Sequence, residues 1–246
     1  MAGLIGLTAS DIDVQDATGA IRWAYEGEWI PHPVVRLTTT LPAAVTAEDG
    51  EREVQRVRWG FPVGPRPVGN ARDDKLETSP LWSKMLGEPG GHGLFVTTGI
   101  YEMVKDQEGN KRSYWFRRRD GAPIVMPGLV GLRNLKGEER LCGAIITTNP
   151  NALFARYHPR QVCSLEPDER DAWMSASFGK AMDLLRPAPD DAWEAVPIDD
   201  RIFAKGRREM EDLVPIGEPE TIETPEDQAR RPPAGAGQAR LDLGGG

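Results

Sequence analysis

A chain of 246 residues with a 39% hydrophobic share and seven tryptophans can bury a sizeable core and still leave room for an irregular tail. Its net charge of −8 excludes nucleic-acid binding by bulk electrostatics, so any DNA contact has to be local. Two cysteines, Cys142 and Cys163, each in an apolar stretch, exclude a disulfide framework and fit a reducing, cytoplasmic setting.

The chain opens "MAGLIGLTASDID", which has no Lys or Arg before it turns acidic, so it does not read as a secretion signal. No apolar run approaches the roughly 20 residues that span a bilayer, and no membrane contact is expected. The segments "HPVVRLTTT" and "REVQRVRWGF" then predict strands, and "SPLWSKML" a helix. Further strands are predicted in "GLFVTTGIYEMV", "SYWFRRR", "PIVMPGLVGL" and "LCGAIITT", the first two joined through "KDQEGNKRS" as a hairpin. Helical patterns return in "NALFARY" and in "PDERDAWMSASFGKAMDLL", where Pro167 and an acidic first turn mark the start. The expected fold class is α+β, with a domain over residues 1–210 and a disordered Pro-, Gly- and charge-rich tail over 211–246.

Four stretches carry candidate chemistry. In "RWGF" and the "NAR" that follows, Trp59 reads as core and Arg72 as a surface charge, or the pair with Asn70 as a polar site in a Gly- and Pro-rich loop. Glu102 in "GIYEMV" is either an outward-facing residue of an alternating strand or a buried functional acid with a raised pKa. "AIITTNPN" ends a strand on Thr147 and Thr148, and "YHPRQV" sets His158 two residues from Arg160. Three scattered His and two separated Cys give no metal-ligand spacing, and no phosphate-binding glycine loop or other cofactor motif is present.

Together "RWGFPVG", "NARDDK", "GIYEMV", "SYWF", "PGLVG", "AIITTNPN" and "HPRQV" stand in the order of seven motifs of the SOS-response-associated peptidase family, which senses abasic sites in single-stranded DNA. The chain resembles that family over roughly residues 2–205. The resemblance implies a compact β-rich, barrel-like domain with flanking helices and a groove for single-stranded DNA. It implies that Asn70 lies beside the abasic sugar, that Glu102 and His158 move protons, and that Trp59, Arg72, Thr147, Thr148 and Arg160 contact DNA. "KRSYWFRRR" adds positive charge interleaved with aromatics, including Arg117, the composition a single-strand groove uses, although a solvated amphipathic strand reads the same way.

The family begins "MCGRF" and reacts through an N-terminal cysteine, whereas this chain begins "MAGLI". Ala2 keeps an α-amine, once Met1 is removed, but no thiol. The resemblance therefore implies a reversible Schiff base on the abasic aldehyde, or a binding module that has lost the reaction; thiol autopeptidase activity is not expected. In the tail, Gln238, Leu241 and Leu243 of "QARLDL" resemble peptides that dock on the bacterial sliding clamp. The chain is expected to act as a monomer.

Overall fold

The structure, a computed structural model, describes residues 3–88, 90–105, 108–204 and 209–222. The chain starts with β1 (Leu4–Leu7) and α1 (Asp11–Thr18), then β2 (Arg22–Trp23), β3 (His32–Arg36), β4 (Thr40–Thr46) and β5 (Arg52–Trp59). A hairpin of β6 (Phe61–Val63) and β7 (Arg66–Val68) leads to β8 (Asn70–Arg72), α2 (Pro80–Gly87), β9 (His92–Thr97), β10 (Gly99–Lys105) and β11 (Lys111–Arg118). The long strands β12 (Ile124–Leu135) and β13 (Glu138–Thr148) precede β14 (Gln161–Val162), α3 (Pro167–Met174), α4 (Phe178–Asp183) and β15 (Trp193–Ile198).

The β-rich α+β class expected from the strand segments is what the chain adopts. Strands β13, β12, β9, β4 and β5 pair antiparallel in that order, and β5 returns to β13 in parallel at Arg58–Cys142 and Trp59–Gly143. That last pairing closes a five-stranded barrel and removes its edges. Phe95 fills the interior, and at Gly143 a Cβ would collide with the Phe95 ring and come within 2.9 Å of Val57.

A second sheet, ordered β15, β11, β10, β1, β3, packs against the barrel. One apolar core runs from the barrel interior to the sheet face carrying Ile100 and Phe116, while Tyr101, Trp115, Val196 and Ile202 build a smaller core on the other face. The opening "LIGL" is β1, wholly buried, in register with β10 through Ile5–Ile100 and Gly6–Gly99. The two glycines let Trp115 lie across both strands: a Cβ on Gly6 would sit 2.5 Å from its ring and 2.8 Å from the Pro33 carbonyl oxygen.

Three local readings change. Helix α1 goes beyond the expected elements, although its capping box of Ser10 and Asp13 and its left-handed Gly19 are sequence signals. "NALFARY" forms only a 3-10 turn at Phe154–Arg156, and the long segment after Pro167 is two helices, broken at Ser175–Ser177. The domain does not stop at residue 210. Residues 209–222 run back along β15, with bridges Ala195–Glu220 and Ile198–Pro215.

His92 fastens α2 and α3 to the barrel. The ring is buried and stacked on Trp173, with Nδ1 2.7 Å from the Trp173 carbonyl oxygen and Nε2 3.0 Å from that of Leu86, in the last turns of α3 and α2. Both cysteines are buried and unbridged. No helix among the described residues is long and apolar enough to cross a membrane.

Candidate functional site

The C-terminal end of β13 gathers three of the motif segments. β8 runs parallel to it, with Asn70 beside Ile145 and Arg72 beside Thr147. On its other side Thr147 and Thr148 pair with Val162 and Gln161 of β14, just after His158 and Arg160. Asn70, Arg72, Thr147, Thr148, His158 and Arg160, up to 90 residues apart in sequence, thus meet at one strand end.

Asp73 ties this end together. Its carboxylate accepts from Arg160 Nη2 and from Thr148 Oγ1, both at 2.6 Å, while Arg160 also donates to the Thr147 carbonyl oxygen. Arg160 and both threonines are buried, so they build the floor of the site rather than its surface. Buried charge of this kind persists because it is paired and hydrogen-bonded. Arg72 is exposed and engages Asp74 through Nε at 2.9 Å and Nη2 at 2.6 Å, which holds the Asp74 carboxyl below the usual carboxylate range. Asn151 fixes the turn between β13 and His158: its Oδ1 accepts from Phe154 N at 2.8 Å and its Nδ2 donates to Ala188 O at 3.2 Å.

Glu102 stands on β10. It pairs across the strands with Tyr114, whose ring lies 4.6 Å from that of Tyr157, the residue before His158. The His158 ring is oriented through Nδ1, 3.0 Å from the Arg160 N–H. Burial raises the Glu102 carboxyl above its ordinary value and lowers the His158 imidazole below its own. Both groups are driven toward their neutral forms, an acid that can give a proton and a base that can take one. Continued two residues toward the N-terminus, the β1–β10 register sets Gly3 opposite Glu102.

Two expected DNA contacts stand elsewhere. Trp59 is wholly buried and its indole Nε1 donates to the Gly69 carbonyl oxygen at 2.8 Å, so it supports the "NAR" segment from beneath and cannot wall a groove. Arg117 lies on the face of β11 opposite to that of Tyr114, by strand alternation, and pairs with Glu194 at 2.6 Å. Ala2 and the tail residues Gln238, Leu241 and Leu243 lie outside the described residues. Sequence reasoning passed over Asp73, Tyr114, Tyr157 and Asn151; the acid directly after "NAR" was the available signal for Asp73. Among the described residues no cluster of His, Cys, Asp and Glu is arranged to hold a metal ion.

The family model for SOS response associated peptidase (SRAP) matches residues 1–204. Among solved structures, a protein from Bacteroides thetaiotaomicron superposes with a TM-score of 0.71 at 22% identity, over 83% of this chain and 95% of its own. A protein from Bordetella bronchiseptica gives 0.68 at 23% identity, over 80% and 99% of the two chains. A phage-related protein from the same organism gives 0.64 at 20% identity, over 87% and 99%. At these identities the likeness is one of fold. No curated protein matches the chain.

Proposed function

The chain belongs to the SOS response associated peptidase family, and from that membership, which ties it to the DNA-damage response, we propose that it binds single-stranded DNA at abasic sites and reacts with them reversibly through the α-amine of Ala2. The observation that supports the chemistry is the Glu102–Tyr114–Tyr157–His158 line, with a carboxyl raised and an imidazole lowered by burial beside the end of β1.

In this reading the neutral amine, once Met1 is removed, attacks the aldehyde carbon of the ring-opened sugar. A C–N bond forms and the carbonyl becomes a hydroxyl. Loss of that hydroxyl as water takes a proton from Glu102, and His158 accepts the proton that leaves nitrogen. The imine then hydrolyses, or a base takes a proton from C2′ and the 3′ phosphate leaves with the C3′–O bonding pair, a β-elimination. Without a thiol, no ring closes on the imine. Asn70 and Arg72 hold the sugar and its phosphate, a cytoplasmic monomer being the working form.

Intact mass after incubation with abasic single-stranded DNA checks this. The expected result is loss of Met1 and an adduct retained only when borohydride is present. Borohydride trapping no greater than with undamaged DNA refutes the amine chemistry. The absence of the family thiol at Ala2 favours a second reading, in which the groove binds DNA without reacting. DNA affinity with no trapped adduct is its signature. The proposed partner for Gln238, Leu241 and Leu243 is the sliding clamp; a chain ending at Gly237 then loses clamp binding and keeps DNA binding, and unchanged clamp affinity rejects that partner.

A further inference from the structure

Both arginines of the candidate site have a carboxylate partner, Arg72 in Asp74 and Arg160 in Asp73, in a chain whose net charge is −8. Positive charge without a carboxylate partner lies at the other end of β13. There β5 and β13 touch at only two residue pairs and then diverge, which opens a cleft of about 660 Å³ in the barrel seam, lined by Arg56, Arg58 and Arg140 among others.

Arg56 donates to the Glu26 carbonyl oxygen at 2.6 Å and lies over the Tyr25 ring at 5.1 Å; Arg58 donates to the Gly60 carbonyl oxygen. Arg133 donates to the Leu132 carbonyl oxygen and lies over Phe61 at 4.9 Å. None of these three forms an ion pair among the described residues. Arg140, which pairs with Glu138, sits directly across from Arg133 on β12, a like-charge pairing that costs stability in a sheet. Glu26 and Glu139 also border the cleft, yet the Arg56 and Arg58 hydrogen bonds go to main-chain oxygens instead.

The same edge of β13 is used in order by the cleft, by the end of β5 and by β8 with Asn70 and Arg72. At about 3.3 Å per strand residue the cleft and the candidate site are about 20 Å apart along that edge. We propose that the seam cleft is a second anchor for the phosphodiester backbone of the DNA strand whose abasic site occupies the β8 end, with Arg56 and Arg58 supplying the charge. This rests on the proposed function, since the strand must first lie at Asn70 and Arg72. Guanidinium groups are suited to phosphate oxygens, and backbone contacts supply affinity without reading sequence.

The test compares wild type with the Arg56→Gln/Arg58→Gln double variant, using oligonucleotides of about four and about sixteen nucleotides, which bracket single-strand site sizes. Each carries an abasic site, and affinity is measured against salt. The expected result is tighter binding of the longer strand by wild type. In the variant the slope of log K on log salt falls by about 0.7 for each lost phosphate contact on the longer strand, with the short one unchanged. Equal losses on both lengths, or no change on either, overturn the anchor while leaving the proposed function standing; failure of wild type to bind either length overturns both. Competition by inorganic phosphate at constant ionic strength, independent of strand length, makes the cleft a free-anion site and also overturns the strand assignment. Arg58→Gln alone, which removes a cleft-wall charge and touches neither aromatic contact, repeats the slope measurement should the double variant unfold.

Discussion

Glu102 shows how one residue links stability to function. Its folded carboxyl is raised by burial, so above the ordinary carboxylate range the folded chain holds more protons at this position than the unfolded chain does. Stability from this group therefore falls as pH climbs from its ordinary value, 4.5, through the raised one. Glu102→Gln removes that penalty. The variant is expected to melt above wild type at pH 7.5 and to converge with it near pH 4, while trapped adduct formation slows by about 10²–10⁴-fold, the usual worth of a positioned acid. Thermal scans at the two pH values and a trapping time course check both halves, and a variant that melts lower at pH 7.5 contradicts the sign. The apolar neighbours of Glu102 in "GIYEMV" flagged it in the sequence. Trp59 shows the opposite, because nothing in "RWGF" tells whether an indole packs inward or faces a groove.

At the scale of elements, β1 is the lever that positions the start of the chain. Its pairing with β10 depends on Gly6 and Gly99 making room for Trp115. Gly6→Ala puts a methyl group 2.5 Å from the Trp115 ring, and overpacking of this kind costs about 1–3 kcal/mol. Urea denaturation should show that loss, and adduct yield should fall further than stability alone accounts for, because Gly3 shifts relative to Glu102. An adduct yield unchanged from wild type at equal folded fraction shows that β1 does not position the reacting end. The apolar letters of β1 were visible in the sequence, but its register was not, since Ile5 and Ile100 stand 95 positions apart.

For the whole molecule the decisive event is barrel closure. The parallel contact between β5 and β13 spans two residue pairs, and Gly143 within it leaves the volume that Phe95 occupies. Gly143→Val is expected to lower the midpoint of a single cooperative unfolding transition, read in urea by both fluorescence and circular dichroism. A local effect confined to one probe contradicts closure as a global constraint. Because β8 and the seam cleft both border β13 beside this contact, the same variant is expected to weaken DNA binding at both ends of the strand path.

The sequence by itself determined the strand segments, the α+β class, the order of seven motifs and hence the family, since each is carried by local pattern: apolar alternation, caps, turn residues and short runs of fixed identity. Tertiary structure decided which charges remain available. Arg160 pairs with Asp73 from 87 positions away, whereas Arg56 and Arg58 turn to main-chain oxygens. Ion pairing is a matter of a few ångströms between distant segments, set by barrel closure and packing, and no local pattern encodes which arginine meets a carboxylate.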